Sequence, residues 1–435
     1  MRILWFTNIL MPEASSYLKR PVARVGGWWM SALLERLKSR NGIKLAVVTS
    51  DVSQDDHFEV NGVEYFVVKG PWYAALQYRL GSLRPELPSR TRMSKYASIV
   101  KEWNPDVVHV HGTERDYGLL KSREHTDKPV VVSIQGVMAP YSRKACGDLL
   151  PREVDGVVRS AIGYKAFSLN LWQSLRAKAL TEQEILGSVD MVLGRTEWDR
   201  IWAWALNPHV RYRHVEELMR REFFEAQAWT LEGCRRHQLF CTSGPQPLKG
   251  LHILIEAIAK LRDCYPDIRL HVASGGFAPY PLNSYARFIF RLVNQLGLQQ
   301  CVTFLGWMNA CEQVEQLHQA HCFVTPSFIE NSCNALQEAM LVGTPSIATS
   351  SGGLLTMIEA GRSGLHFPSG DVAMLAHGIH RLFCDDALAS LVGAEARAVA
   401  RSRNEPESVV EQLIEAYEEA ITRAPRTQAK DESIA

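Results

Sequence analysis

The sequence predicts an α/β fold of two doubly wound parallel-sheet domains. Three observations carry that prediction. The chain is 435 residues long, beyond the usual size of one hydrophobic core. Short apolar runs alternate with amphipathic stretches of helical length, as parallel strands joined by crossover helices require. The alternation breaks once, in the polar stretch His209–His237, so there are two strand series and not one.

The first series runs Ile3–Thr7, Leu45–Thr49, Val63–Val68, Val107–His111, Val130–Ile134 and Met191–Gly194. The second runs Gln238–Thr242, Arg269–Ala273, Val302–Leu305, Cys322–Thr325, Pro345–Ala348 and Leu365–Phe367. Helical patterns fill the gaps, as at Gly27–Ser39, Leu251–Leu261 and Val372–Phe383. The expected organisation is a first domain over 1–208, a connecting segment over 209–236 and a second domain over 237–404. Pro406–Thr422 follows as an amphipathic helix, with Val409, Leu413, Ala416, Tyr417 and Ala420 on one face. The polar tail 424–435 is expected to be disordered.

Composition narrows the class. Apolar residues make up 46 % and charged residues 22 %, with a net charge of +1. That balance argues against nucleic acid as a partner. The halves differ: residues 1–190 carry net +6 and the remainder −5, so the first half is expected to meet something anionic. Nine cysteines include no C-x-x-C pair, which fits a reducing compartment. The N-terminus reads as a strand, not a signal peptide, and no stretch reaches the ~20 apolar residues of a membrane span. The expected location is the cytoplasm, at most peripheral on the cytoplasmic face of a membrane.

The chemistry concentrates in the second domain. Glu330 and Glu338 lie eight residues apart in Pro326-Ser327-Phe328-Ile329-Glu330-Asn331-Ser332-Cys333-Asn334-Ala335-Leu336-Gln337-Glu338, followed by Gly343-Thr344-Pro345 and Ser351-Gly352-Gly353. With a helix beginning near Ser332, Glu330 sits in the turn at its mouth. Were the whole interval helical, the two acids would stand about 12 Å apart along the axis. A sugar nucleotide has a polyhydroxylated ring on each side of a diphosphate. One carboxylate per ring, with a helix N-terminus aimed at the phosphates, is a receptor of that shape. The domain opens with Ser243-Gly244-Pro245-Gln246-Pro247-Leu248-Lys249-Gly250, and a lysine at a helix mouth can neutralise a diphosphate. In the first domain Gly26 and Gly27 open a helix and let backbone amides approach a phosphate. No G-x-G-x-x-G follows a strand, which disfavours a dinucleotide-dependent dehydrogenase.

These motifs resemble those of the retaining glycosyltransferases of family 4, which have two Rossmann-like domains in the GT-B arrangement. The resemblance covers about 400 residues and is tightest in the second domain. It implies that Glu330 holds hydroxyls of the transferred sugar, Glu338 those of the ribose, and Lys249 with Gly250 the diphosphate. It adds Ser332, Cys333 and Asn334 at the helix mouth, and Gly26 and Gly27 across the cleft. Gly306-Trp307-Met308 matches the loop beside the nucleobase, where Trp307 stacks, its backbone reads the base, or it simply packs. The C-terminal helix is expected to cross back to the first domain.

Two departures stand out. The family's phosphate-binding arginine is absent, with Ser243 and Gly244 in its neighbourhood. Arg195, at the end of a first-domain strand, is a candidate stand-in, or else it pairs with Glu197 or Asp199. Gln135 stands where many relatives place a histidine near the reacting sugar, and it cannot act as a base. His109 and His111 share a strand face, which packing and hydrogen bonds to loop backbone explain better than a metal.

The resemblance implies a metal-independent transfer from a nucleotide-sugar donor, UDP- or GDP-linked, to a glycan or lipid-linked acceptor, by analogy in bacterial surface-polysaccharide assembly. No cofactor is expected. The basic stretch Tyr73–Lys101, and Arg159–Leu180 with Phe167, Leu171, Trp172 and Leu175, are candidates for contact with acceptor or anionic membrane. An epimerase or hydrolase on the same fold, or a sugar-nucleotide-binding protein without catalysis, remain open alternatives.

Overall fold

The structure, a computed structural model, describes residues 1–20, 27–51, 54–70, 89–150, 153, 167–277 and 283–423. Gly26, much of Tyr73–Lys101, most of 151–166 and the tail 424–435 lie outside the described residues, and so does the Phe167 side chain.

The first sheet contains β1 (Arg2–Phe6), β2 (Lys44–Asp51), β3 (Asp56–Val60), β4 (Val63–Lys69), β5 (Val107–His111), β6 (Val130–Ser133), β7 (Met191–Gly194) and β8 (Arg211–His214). Their spatial order is β3-β4-β2-β1-β5-β6-β7-β8. All neighbours pair in parallel except β3, which runs antiparallel to β4. The central strands are covered on both faces, and β5 is buried at all five positions, which is why they read as unbroken apolar runs. The two edge strands carry no such signal. β3 buries only Phe58 within its run. β8, Arg-Tyr-Arg-His, buries none of its four residues, yet it pairs with β7. The first sheet therefore continues past residue 208 into the stretch read from sequence as connecting segment.

The second sheet contains β9 (Gln238–Thr242), β10 (Arg269–Ala273), β11 (Val302–Gly306), β12 (Cys322–Thr325), β13 (Ser346–Thr349) and β14 (Leu365–Phe367). It is parallel throughout, in the order β11-β10-β9-β12-β13-β14. Helices on both faces enclose one core, in which Phe240, Leu254, Phe323, Met340 and Ile379 are buried.

Local chemistry fixes where the helices begin. The helix Glu197–Leu206 starts at a capping box in which the Thr196 hydroxyl and the Asp199 carboxylate each accept a backbone N–H of the other's residue. Asn309 and Glu312 do the same for Ala310–Gln319. The last helix, Pro406–Thr422, begins with proline, whose missing N–H costs nothing there. It buries Val409, Val410, Leu413, Ala416, Tyr417 and Ala420 beside Trp5 and Leu33 in the first domain's core. Its Tyr417 hydroxyl accepts from Trp5 Nε1 at 3.1 Å and lies 2.6 Å from His109 Nδ1.

Candidate active site

Three loops converge at the carboxyl ends of β9, β12 and β13, where open parallel sheets form their binding crevice. The loop after β12 runs Pro326 to Glu330. The loop after β9 reaches it through Gly250, which has φ +68° and lies so close that a Cβ would stand 2.0 Å from the Pro326 carbonyl oxygen. Phe328 N–H donates to the Leu248 carbonyl at 2.8 Å, stitching the two loops. The loop after β13 closes the third side. A Cβ on Gly352 would lie 2.2 Å from the Glu330 carbonyl oxygen, and one on Gly353 would lie 1.8 Å from that of Asn331. Only glycine permits backbones to approach this closely.

This convergence brings Lys249 and Glu330 together. Glu330 Oε1 accepts from Lys249 Nζ at 2.5 Å and from the Ser327 hydroxyl at 2.8 Å. Burial works to lower the lysine's pKa, but the adjacent Glu330 carboxylate outweighs it and holds the ammonium above its ordinary value. The pair is not sealed: the Lys249 side chain keeps 31 % of its surface.

Glu338 lies within the helix Asn334–Val342, which starts two residues later than the sequence suggested and ends at Gly343 in the left-handed conformation. Its carboxyl is buried, which pushes its pKa up to about 7 against the attraction of Arg220. Arg220 holds it with two nitrogens, Nε at 2.8 Å and Nη2 at 2.7 Å, both on Oε1. This arginine was missed at the sequence level. It stands in a polar stretch without periodicity, next to a second arginine, with no local mark separating the two.

The helix mouth is divided between the domains. Asn331 accepts from the Thr196 hydroxyl at 3.0 Å and donates its backbone N–H to the Tyr141 hydroxyl at 2.8 Å. Asn334 accepts from Arg195 at 3.2 Å and donates to Glu217 at 2.8 Å. Ser332 accepts from the Gln337 amide at 2.9 Å. Cys333 caps the helix with no side-chain bond to it, and burial followed by nearby Glu330 pushes its thiol up to about 11, so it stays protonated.

Arg195 does turn into the cleft. Its guanidinium pairs with Glu217 at 2.8 Å and is almost fully buried, while Asp199 is engaged in capping and Glu197 pairs with Arg200. The alternative reading, a guanidinium paired with Glu197 or Asp199, therefore does not occur, although Asp199 Oδ2 accepts the Arg195 backbone N–H at 2.9 Å. Gln135 lines a cavity of about 20 Å³ together with His111, Arg195, Glu216 and Glu217. The histidines on β5 bond differently from expectation. His109 meets the side chains of Tyr417 and Ser133, at 2.6 and 2.7 Å, and not loop backbone. Burial holds both below the ordinary histidine range, His111 at about 3, so both are neutral.

At the far end of the second sheet Trp307 is half exposed, and the Met308 carbonyl accepts from the Gln313 amide at 2.9 Å. Gly27, at φ +80°, precedes the helix Trp28–Lys38, and a Cβ there would lie 2.9 Å from Ile9 Cγ2. A larger concavity of about 830 Å³ borders Phe66, Arg90 and Lys95, the last two from the basic stretch expected to meet acceptor or anionic membrane. Among the described residues no group of three or more His, Cys, Asp or Glu could hold a metal ion, and no helix is long and apolar enough to cross a membrane.

Two Rossmann-like parallel-sheet domains facing each other make up the GT-B fold. Solved structures agree on the fold. Sucrose-phosphate synthase from Thermosynechococcus elongatus superposes with a TM-score of 0.72 over 97 % of this chain and 99 % of that one, at 17 % identity. HepE from Anabaena, in complex with UDP-glucose, does so at 0.63 over 96 % and 100 %, at 14 % identity. Residues 236–385 match the family described as Glycosyl transferases group 1. D-inositol 3-phosphate glycosyltransferase of Corynebacterium jeikeium is 34 % identical over 149 residues, 34 % of this chain and 35 % of that protein. Phosphatidyl-myo-inositol mannosyltransferase of Mycobacterium leprae is 28 % identical over 192 residues, 44 % and 48 % of the two chains. The chain thus spans about a third to a half of the length of these curated relatives.

Proposed function

We propose that this protein transfers a sugar, with retention of anomeric configuration, from a nucleoside-diphosphate donor to a glycan or lipid-linked acceptor. The observation that carries the reading is the Lys249–Glu330 pair, built by three loops at the carboxyl ends of the second sheet. In the proposal Lys249 faces the diphosphate and Glu330 the hydroxyls of the transferred sugar, so donor binding separates the pair. Glu338 takes the ribose hydroxyls, and Gly27 and Gly250 bring backbone close to the phosphates. Trp307 and Met308 flank the base. The acceptor hydroxyl forms its bond to the anomeric carbon as the bond to the β-phosphate oxygen breaks, and that phosphate takes the acceptor proton. Such a step needs no side-chain base, which accommodates Gln135. Lys249 stabilises the charge growing on the leaving diphosphate, and no metal is assigned a role.

The first domain supplies the acceptor side. Leu171 is buried and packs with half-buried Leu175 against Ala145 and Leu248. The same helix leaves Trp172 and Leu180 exposed, and the next exposes Ile201 and Trp204. In this proposal these side chains face a lipid-linked acceptor from the cytoplasmic side of a membrane. The M. leprae relative, named for a phosphatidyl-inositol substrate, supports that acceptor class.

The test is turnover of UDP- and GDP-sugars with a panel of lipid and oligosaccharide acceptors. Transfer by the wild type and its loss in Lys249→Ala are expected. Acceptor-independent conversion of the donor would replace this reading with an epimerase or hydrolase. Donor binding without any conversion would leave a sugar-nucleotide-binding protein.

A further inference from the structure

The loop after β9 offers one cation, Lys249, to a ligand that carries two phosphates. At Gly244 a Cβ would meet no described atom within 4 Å, so among the described residues no side chain there fills the gap left by the missing arginine. Among the described residues Arg195, Arg220 and Arg403 are candidates for a second cation, and their bonding separates them. Arg195 is neutralised by Glu217 and buried, with its side chain at 5 % exposure. Arg403 is aimed at Glu216, 3.9 Å away, and at the Met357 carbonyl. Arg220 is different. Its Nε and Nη2 hold Glu338 Oε1, and Nη2 also reaches Gln313 Oε1 at 3.1 Å. Its planar group lies 5.3 Å from the Trp28 ring and 4.6 Å from the Phe223 ring. Among the described residues its Nη1 makes no hydrogen bond, and 18 % of the side chain remains accessible.

We propose that Arg220 is the second cation of the donor's diphosphate site, held in place by Glu338 and Gln313 and offering Nη1 to a phosphate oxygen. This rests on the reading of Glu338 as the ribose acid, because a ribose on Glu338 brings its 5′ phosphate within reach of a guanidinium already on that carboxylate. Trp28 follows Gly27, so Arg220 also stands beside the first-domain helix mouth expected to face the same phosphates. Arginine suits the position. Two edges of its fork can be fixed while a third stays open, and the charge is never lost. Aromatic contact orients it without cancelling that charge. Since no bond is made to Glu338 Oε2 among the described residues, ribose hydroxyls and phosphate do not compete for the same atoms.

The alternative is that Arg220 acts only through Glu338, by keeping that acid charged and positioned. The two roles separate by ligand. Isothermal titration of UDP and uridine, and of GDP and guanosine, would be run on wild type, Arg220→Gln, Arg220→Lys and Arg195→Gln. The expected result is a loss of about tenfold or more in diphosphate affinity for Arg220→Gln, with nucleoside affinity within about twofold. Arg220→Lys, which keeps the charge without the fork, is expected to fall between and serves if the glutamine variant does not fold. An equal loss for nucleoside and diphosphate would overturn the proposal in favour of action through Glu338. So would unchanged diphosphate affinity, or a loss confined to Arg195→Gln. If neither diphosphate binds the wild type, the donor-site reading itself falls, and this assignment falls with it.

Discussion

Lys249 and Glu330 neutralise each other at 2.5 Å, so a donor must offer each of them something better than its partner. Removing the ammonium leaves a buried carboxylate with, among the described residues, only the Ser327 hydroxyl. Lys249→Ala is therefore expected to weaken UDP binding by about 1.5–3 kcal/mol, the worth of a charge-assisted hydrogen bond, measured by titration calorimetry. Glu338 gives a pH signature. Burial raises its carboxyl from 4.5 to about 7, so the folded protein binds more protons than the unfolded chain between those values. Stability of the ligand-free protein should fall as pH rises through that window, while affinity for the donor, which needs the ionised acid, should rise as pH passes about 7. Melting curves and UDP titrations at pH 5.5 and 8.5 check both slopes, and Glu338→Gln should remove them. The acids and the lysine were legible because their spacing sits beside glycine and proline landmarks. Arg220 was not, because its role comes from what Trp28, Gln313 and Glu338 bring to it from distant parts of the chain.

Loops and helix ends, more than strands, set the site's precision. Gly250 combines a left-handed backbone with a 2.0 Å approach to the Pro326 carbonyl. Gly250→Ala should cost about 2–4 kcal/mol, from backbone strain and overlap together, and should displace Lys249, which differential scanning calorimetry and UDP titration would both register. At the other end of the chain, Tyr417→Phe removes a hydroxyl shared by Trp5 and His109. The expected loss is about 1–2 kcal/mol in urea unfolding, with UDP affinity unchanged. The C-terminal helix was readable because its buried face repeats at helical spacing. The edge strands β3 and β8 were not, since a half-solvated strand of charged residues has no apolar run to betray it. The binding of β8 to β7 is decided by backbone pairing.

Across the whole molecule, the two domains meet through polar side chains at the mouth of the helix Asn334–Val342, Thr196 and Tyr141 on Asn331 and Arg195 on Asn334, and through apolar contacts, with Phe328 against Gly147 and Leu248 against Ala145 and Leu171. Interfaces of such mixed character within a chain permit relative motion. Asn331→Ala is expected to raise the radius of gyration in small-angle scattering without ligand, and to lower turnover about tenfold while each domain's melting is unmoved. The two parallel-sheet domains followed from strand–helix alternation and the facing cleft from the family resemblance, but which side chains would close the cleft could not be read from local pattern. The last helix has a further consequence for biogenesis. Its buried face completes a core otherwise made by the first 215 or so residues, so during translation the leading half must wait, incomplete, until nearly all of the chain has left the ribosome. A fragment of residues 1–218 made alone should present that bare apolar groove, collect chaperones and precipitate, whereas supplying 406–422 in trans should rescue its solubility.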